Sequence, residues 1–326
     1  MKLARPDVFH PKIVLAGCPQ MVEGDGDDAD LIAALRQRGL HARWLSWDDP
    51  GTETADLVIL RAAWDYTERR DEFLAWTKRV KNLLNPPSVV AWNSDKHYLL
   101  ELTDAGVPTL PSYFFDPGET FRLPEGELEG ELVVKPAIGA GSLDTMRFHD
   151  ATAAMEHAAA LHESGRAVLV QPYDERVESG ETALVFIGGE QSHAFTKGPI
   201  LPPQGQLPEF DGSGTYAEED LTPADPDFEM WDVGYAALKA ACVQLKIPTT
   251  DLLYARVDLI GGPDNPLLLE LEMVEPSLGW RQLDDGVRSE RQRNFAVCVE
   301  SALERPGLGP RSNNPRSNYP SPHRRP

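Results

Sequence analysis

Apolar and polar positions follow two rhythms along this chain. Short apolar runs bounded by turn residues recur at Ile13–Ala16, Ala42–Leu45 and Leu57–Leu60, and each reads as a buried strand. Between the first two, Leu31, Ile32 and Leu35 recur at helical spacing within Asp28–Arg38, and Gly39 supplies the stop. Asp71–Leu84 repeats the helical rhythm, and Val89–Trp92 reads as a further strand. Strands alternating with helices predict a small Rossmann-like α/β domain with a parallel sheet over residues 1–92.

From residue 93 the pattern changes to α+β. Asn93 or Ser94 can cap a helix running to Asp104, ended by Gly106 and Pro108. Tyr113–Phe115, Leu132–Lys135 and Val168–Gln171 read as strands, and the Ala-rich Ala151–Ser164 as a helix closed by Gly165. Thr182–Ile187 and Gln191–Lys197 predict an antiparallel hairpin across Gly188-Gly189. Trp231–Leu245 is helical, Leu252–Leu259 and Leu267–Met273 form a second hairpin, and Val287–Ser301 is the final helix. Gly198–Phe228 is rich in Pro, Gly and acids and predicts no element; so long a loop in a compact chain is functional or disordered. The segment 305–326 holds Pro, Ser, Asn and Arg and cannot bury a core, so a disordered basic tail is expected there. The units that follow are 1–92, 93–173, 174–304 and the tail.

Charge narrows the function. The 326 residues carry a net charge of −21, and the five arginines of the tail make the remainder more acidic still. A phosphate backbone needs a basic surface, so nucleic acid is excluded as a partner. No stretch approaches the roughly 20 apolar residues that span a bilayer, and no apolar signal core opens the chain. A cytoplasmic location with no membrane partner is expected. Cys18, Cys242 and Cys298 are too scattered for a disulfide framework or a zinc site, and read as reduced. Five of the seven tryptophans crowd residues 44–92 and read as core or interface.

Candidate chemistry gathers in three segments. In 255-ARVDLIGGPDNPLLLELEMVEPSL-278, Asp258 shares a strand face with Arg256, and Glu270 shares one with Glu272. Carboxylates facing one another across a hairpin repel unless a cation lies between them, and Mg²⁺ is the hard ion that takes such oxygens together with phosphates. The alternative is a solvated polar edge. In 131-ELVVKPAIGAGSLDT-145, a strand ends in Lys135 and a loop with Gly139, Gly141 and Ser142, small enough to bring backbone N–H groups to a phosphate. It is neither a P-loop nor a dinucleotide fingerprint, and an ordinary glycine turn is the alternative. In 171-QPYDERVESGET-182, Gln171, Pro172 and Tyr173 can pass beside an adenine ring, and Glu178 or Glu181 can accept from ribose hydroxyls. Lys96 and Lys197 are isolated basic residues in an acidic chain. Arg61, Asp65 and Tyr66 follow the Leu57–Leu60 strand, where open parallel sheets bind ligands, and are candidates for contacting an acceptor substrate.

The order of these features resembles the ATP-grasp superfamily: Lys96, Lys135 with its glycine loop, Gln171-Pro172-Tyr173, Arg256-x-Asp258 and Glu270-x-Glu272. The resemblance spans about residues 12–303. Its glutathione-synthetase-like branch is most similar, and the Arg61–Tyr66 and Glu275–Leu278 runs look like the cycloserine-synthetase-like ligases. The resemblance implies an N-terminal pre-ATP-grasp domain and two lobes that grasp ATP. It implies a carboxylate–amine ligase acting through an acylphosphate, with small-molecule substrates and often a homo-oligomeric assembly. Lys96, Lys135 and the Gly139–Ser142 loop would contact ATP phosphates. Asp258, Glu270 and Glu272 would hold two Mg²⁺, with Mn²⁺ an alternative. Arg256 and Lys197 would serve catalysis. Two other readings share these residues: an ATP-grasp kinase of small molecules, and a nucleotide-binding module without turnover. Two departures stand out: Glu272 replaces the usual Asn, and Gly279 stands where a large apolar residue is expected.

Overall fold

The computed structural model describes residues 11–121, 130–202, 205–212 and 216–305. An N-terminal sheet comprises β1 (Lys12–Gly17), β2 (His41–Ser46), β3 (Leu57–Ala62) and β4 (Leu83–Leu84), all parallel, in the order β2-β1-β3-β4. All six residues of β3 are buried, as a strand covered on both faces requires. Helices α1 (Leu31–Gln37), α2 (Arg70–Thr77) and α3 (Pro87–Asn93) accompany the sheet. Helix α4 (Tyr98–Asp104) leads to a second, antiparallel sheet of β5 (Tyr113–Phe115), β6 (Leu132–Pro136), β7 (Met146–Phe148) and β8 (Val168–Pro172), in the order β5-β8-β6-β7. Helix α5 (Ala151–Glu163) packs on it; Asp150 caps the helix, accepting from the Thr152 amide at 2.7 Å.

The third sheet is antiparallel: β9 (Glu181–Ile187), β10 (Glu190–Lys197), β11 (Leu221–Ala224), β12 (Tyr254–Ile260) and β13 (Leu267–Glu272), in the order β11-β10-β9-β12-β13. Gly188 and Gly189 join β9 to β10 with φ of 64° and 84°, the left-handed pair that a tight hairpin turn demands. Helix α6 (Phe228–Leu245) covers one face of this sheet. The other face meets the N-terminal sheet through the last helix, α7 (Asp285–Glu304). One apolar cluster joins Ile13, Leu15 and Leu35 to Val185, Phe195, Phe295 and Val299. The N-terminal sheet and the last described helix therefore share a core. On the opposite face of the first sheet, Trp47, Phe73 and Trp76 pack ring to ring.

Several expected elements differ. Val89–Trp92 is not a strand but lies inside α3: four consecutive apolar residues carry no period, and Pro87 at the first helical position presets a helix. The helix expected over Asp71–Leu84 ends at Thr77, and Leu83–Leu84 is a strand beside β3. Asn93 closes α3 rather than capping α4, which starts at Tyr98. The Gly198–Phe228 stretch contributes β11, which pairs with β10, and opens α6. β7 had no counterpart in the sequence reading. The tail from 306 onward lies outside the described residues.

Candidate active site

The second and third sheets, with the loops that follow β1 and β3, enclose one cleft. The second sheet supplies Lys135 from β6, the Gly139–Ser142 loop that follows it, and Gln171, Pro172 and Tyr173 at the end of β8. The third supplies Glu181, Lys197, Arg256, Glu270 and Glu272. Lys96 enters from the turn before α4, and Tyr66 from the N-terminal domain. The glycine loop is wound tightly: Gly141, Ser142 and Asp144 have φ of 60°, 60° and 55°. A left-handed residue other than glycine is held only where its surroundings over-determine it, as they do at Asp144. Here Arg166 pairs with the Asp144 carboxylate at 2.5 Å, and His157 bonds the Asp144 carbonyl at 2.9 Å.

Strand register arranges the charges. Asp258 stands opposite Glu270 and Arg256 opposite Glu272 across β12–β13; Lys197 stands opposite Glu181 across β9–β10. Arg256 donates to both Asp258 oxygens at 2.8 and 2.9 Å and to Glu272 at 2.8 Å. Lys197 reaches Asp258 and Glu181, each at 2.8 Å. Lys96 reaches Glu270 at 2.7 Å and the Gly139 carbonyl at 3.0 Å, tying the carboxylate strand to the glycine loop. Lys135 has no ion-pair partner among the described residues, and burial pulls its ammonium below the ordinary lysine range.

These pairings set the protonation states. Burial alone would raise the Asp258 carboxyl, but Arg256 and Lys197 more than offset it and hold it down to about 2. Glu270 is likewise lowered, burial being outweighed by Lys96 and Lys135. Burial wins at Glu272, where Arg256 is already shared with Asp258, and its carboxyl rises to about 7. Burial, with Glu272 nearby, pushes Glu275 up to about 8. Burial thus makes the charged forms of Glu272 and Glu275 costly in this cleft. Among the described residues, no three His, Cys, Asp or Glu side chains converge as a ready-made metal cage. Glu270 and Glu272 do present hard oxygens to the cleft. That set suits a divalent ion that draws its other ligands from phosphate and water.

Four candidates lie elsewhere. Asp258 is fully buried behind Arg256 and Lys197 and does not line the cleft. Glu178 sits on an outward 3₁₀ turn, bonded to Arg147 at 2.9 Å and to the Tyr173 hydroxyl at 2.6 Å, so of the two ribose candidates only Glu181 faces the cleft. Arg61 is buried, bound to Asp28 at 2.7 Å and to the Pro276 carbonyl at 2.8 Å. It braces the segment after β13 and does not reach the cleft. Asp65 accepts from Trp47 at 2.7 Å and from Arg69 at 3.3 Å. Tyr66 alone of that trio lines the cleft.

Other contributors escaped the sequence reading. Asp27 accepts from the Leu278 and Arg281 amides at 3.2 and 3.1 Å, and Trp280 donates to Asp28 at 2.9 Å. The run of acids after β1 was the available signal. Asn93 bonds the backbone of Leu271 and Met273 at 2.7 and 2.6 Å and so fixes β13. Trp64 and Tyr216 pack at 5.4 Å on the cleft wall, and Glu275 lines it. Gly279, expected to be large and apolar, is left-handed at φ 64°, and a Cβ there would overlap the Phe195 ring. It is a packing device and does not line the cleft.

A family model described as the N-terminal domain of D-cycloserine synthetase DcsG matches residues 13–85. The cycloserine biosynthesis protein DcsG of Streptomyces lavendulae is 36% identical over 280 residues, covering 80% of this chain and 90% of that protein. The crystal structure of D-cycloserine synthetase DcsG aligns with a TM-score of 0.77 at 32% identity, over 90% of this chain and 99% of the other. A D-alanine–D-alanine ligase from Bacillus anthracis, solved with ATP, shares the fold at a TM-score of 0.62 and 15% identity, over 90% and 97% of the two chains. The ATP-grasp ligase PsnB, solved with Mg and ADP, shares it at 0.54 and 18%, over 88% and 97%. No helix among the described residues is long and apolar enough to cross a membrane. The chain belongs to the cycloserine-synthetase DcsG family of ATP-grasp enzymes and is an ATP-dependent ligase.

Proposed function

We propose that this ligase joins a carboxylate to an amine through an acylphosphate, releasing ADP and inorganic phosphate. The observation that carries the reading is the convergence of Lys96, Lys135, Lys197 and Arg256 on one cleft beside the Gly139–Ser142 loop. Phosphoryl transfer asks a protein mainly for positioning and for positive charge at the phosphoryl oxygens. Lys135, unpaired among the described residues, and Lys96 take the phosphates, and the glycine loop closes over them. The adenine lies along the Gln171–Tyr173 backbone, and Glu181 accepts from the ribose. Glu270 and Glu272 would hold two Mg²⁺, or Mn²⁺; bound with ATP, these would neutralise charge on its phosphate oxygens. Glu272 in place of Asn supports this, since it sets a second carboxyl on the cleft beside Glu270.

A substrate carboxylate oxygen attacks the γ-phosphorus and ADP leaves. A nitrogen then attacks the acyl carbon, and the C–O bond to phosphate breaks. Arg256, held rigidly by Asp258 and the Ser277 carbonyl, supplies fixed positive charge to the oxyanion. The three free cysteines suit a cytoplasmic enzyme. The test is ADP and phosphate release over a panel of carboxylates, with and without amines. Kinship with a cycloserine synthetase makes acyclic precursors of D-cycloserine its first members. ADP and phosphate released only when carboxyl and amine are both present support ligation. AMP and pyrophosphate would refute the acylphosphate route, and a stable phosphorylated product would make the enzyme a kinase.

A further inference from the structure

We propose that Arg147 is a positioning residue for the nucleotide: from outside the cleft it locks the Tyr173 ring, the wall of the adenine end, and so sets how tightly ATP is held. The proposal rests on the placement of the adenine given above. It adds a residue that touches neither ATP nor substrate.

Strand register brings Arg147 to this place. Across the second sheet Arg147 stands opposite Val133 and Val133 opposite Gln171, and residues directly opposite share a face. Tyr173, two positions beyond Gln171, follows on that face, its amide bonded to the Glu131 carbonyl at 2.7 Å. Phe148, the next residue on β7, turns the other way and joins the core with Ala154 and Ala158 of α5. Val133, Gln171 and Tyr173 line the cleft, whereas Arg147, Glu131 and Glu178 stand behind them.

The guanidinium carbon lies 3.5 Å from the centre of the Tyr173 ring. Nε donates to Glu131 Oε2 at 2.6 Å, Nη2 donates to the same oxygen, and Nη1 donates to Glu178 at 2.9 Å. The Tyr173 hydroxyl donates to that Glu178 oxygen at 2.6 Å. The ring is thus gripped by its face and by its hydroxyl, and both grips end on Arg147. The Arg147 side chain is only 14% exposed, so solvent and salt weaken these contacts little. Glu178, turned away from the ribose, gains a task here: it fixes the far edge of the ring.

The backbone of the same residue makes a further contact. The Arg147 carbonyl accepts from the Gly205 amide at 2.6 Å, and a Cβ at Gly205 would lie 2.8 Å from the Phe148 ring. Ile200 and Leu201, earlier in that segment, line the cleft. A strand of three residues therefore anchors two parts of the lining. A ring that must be ordered when ligand arrives costs affinity for whatever rests on it. The phosphates, held by Lys96, Lys135 and the glycine loop, do not feel that cost.

This difference gives the test. Calorimetry on the full chain with Mg²⁺ measures Kd for ATP and for tripolyphosphate, which offers phosphates without adenosine. Arg147→Met is expected to raise Kd for ATP about tenfold, or about 1.4 kcal/mol, while Kd for tripolyphosphate stays within about twofold. Retained tripolyphosphate binding also shows that the variant is folded. Tyr173→Ala should weaken ATP by a similar factor, and Y173A/R147M should bind ATP within about twofold of Y173A, because Arg147 acts through the ring. The proposal is overturned if R147M binds ATP as the parent does, loses both ligands equally, or adds its full effect to that of Y173A. Where R147M does not fold, Arg147→Lys takes its place: a loss confined to ATP supports the proposal, and an equal loss of both ligands, or none, overturns it. Parental ATP binding in Y173A refutes the adenine placement itself, and the proposal with it.

Discussion

Replacing Arg61 by Met separates a structural brace from a substrate contact. The guanidinium is 2% exposed, bonded to Asp28 at 2.7 Å and to the Pro276 carbonyl at 2.8 Å, and lies 4.9 Å above the Tyr254 ring. Met fills similar volume but leaves Asp28 charged, buried and supported only by Trp280. Breaking a buried pair from one side costs about 3–5 kcal/mol. For a chain of this length that is a fall in melting temperature of roughly 10 °C. Burial already raises the Asp28 carboxyl, and losing Arg61 raises it further. A raised acid is stabilising when protonated and loses that contribution as pH rises, so the deficit is smaller at pH 5 than at pH 8. Adding Asp28→Asn removes the orphaned charge, keeps an acceptor for Trp280, and restores about 2 kcal/mol. Calorimetry on the single and double variants at both pH values measures this. A melting temperature within about 2 °C of the parent, together with a tenfold rise in acceptor KM, would refute the brace and return Arg61 to the substrate.

Further outcomes follow from the same geometry. Glu270→Gln should cut ADP release at least a hundredfold while the fold survives; near-normal turnover would remove Glu270 from the metal set. Gly279→Ala must combine left-handed strain with overlap on Phe195, and urea titration should show a loss of at least about 2 kcal/mol. Glu275 rises from 4.5 to about 8 and Glu272 to about 7, so their protonated forms stabilise the empty protein below pH 4.5, and that contribution is lost as pH climbs to 8. At about 1.4 kcal/mol per unit the Glu275 share is at most about 5 kcal/mol. Melting temperature should therefore fall between pH 5 and 8.5, and Mg²⁺ with ATP should flatten the slope; a pH-independent curve would contradict the raised, buried carboxyls of the cleft. Asp258, held down to about 2, works in the opposite sense, and its contribution is lost only as pH falls from about 4 to 2.

What was legible in the sequence and what was not divide along a physical line. The cleft charges sit on strands, where side chains alternate with a period of two, so Glu270 and Glu272 could be placed on one face before any coordinates. The same rule placed Arg256 beside Asp258. Glu178 escaped it because the residues before β9 form a 3₁₀ turn, and nothing in a run of polar residues reveals where a turn points. Val89–Trp92 failed for a related reason, a run too short to show a period.

The braces failed differently. Arg61 stands at the carboxyl end of β3, where open sheets bind ligands, and the general rule pointed it at the substrate. Its partners lie 33 residues upstream and 215 downstream, and no local pattern encodes either. Asn93 and Asp27 likewise act on backbone about 180 and 250 residues away. Asn93 grips β13 at its end, while Asp27 and Arg61 grip the short stretch after it, which carries Glu275. Arg61 and Asp27 from the N-terminal domain and Tyr254 and Arg256 from β12 all bond the backbone of residues 274–278, so the segment that brings Glu275 to the cleft is held from both sides at once.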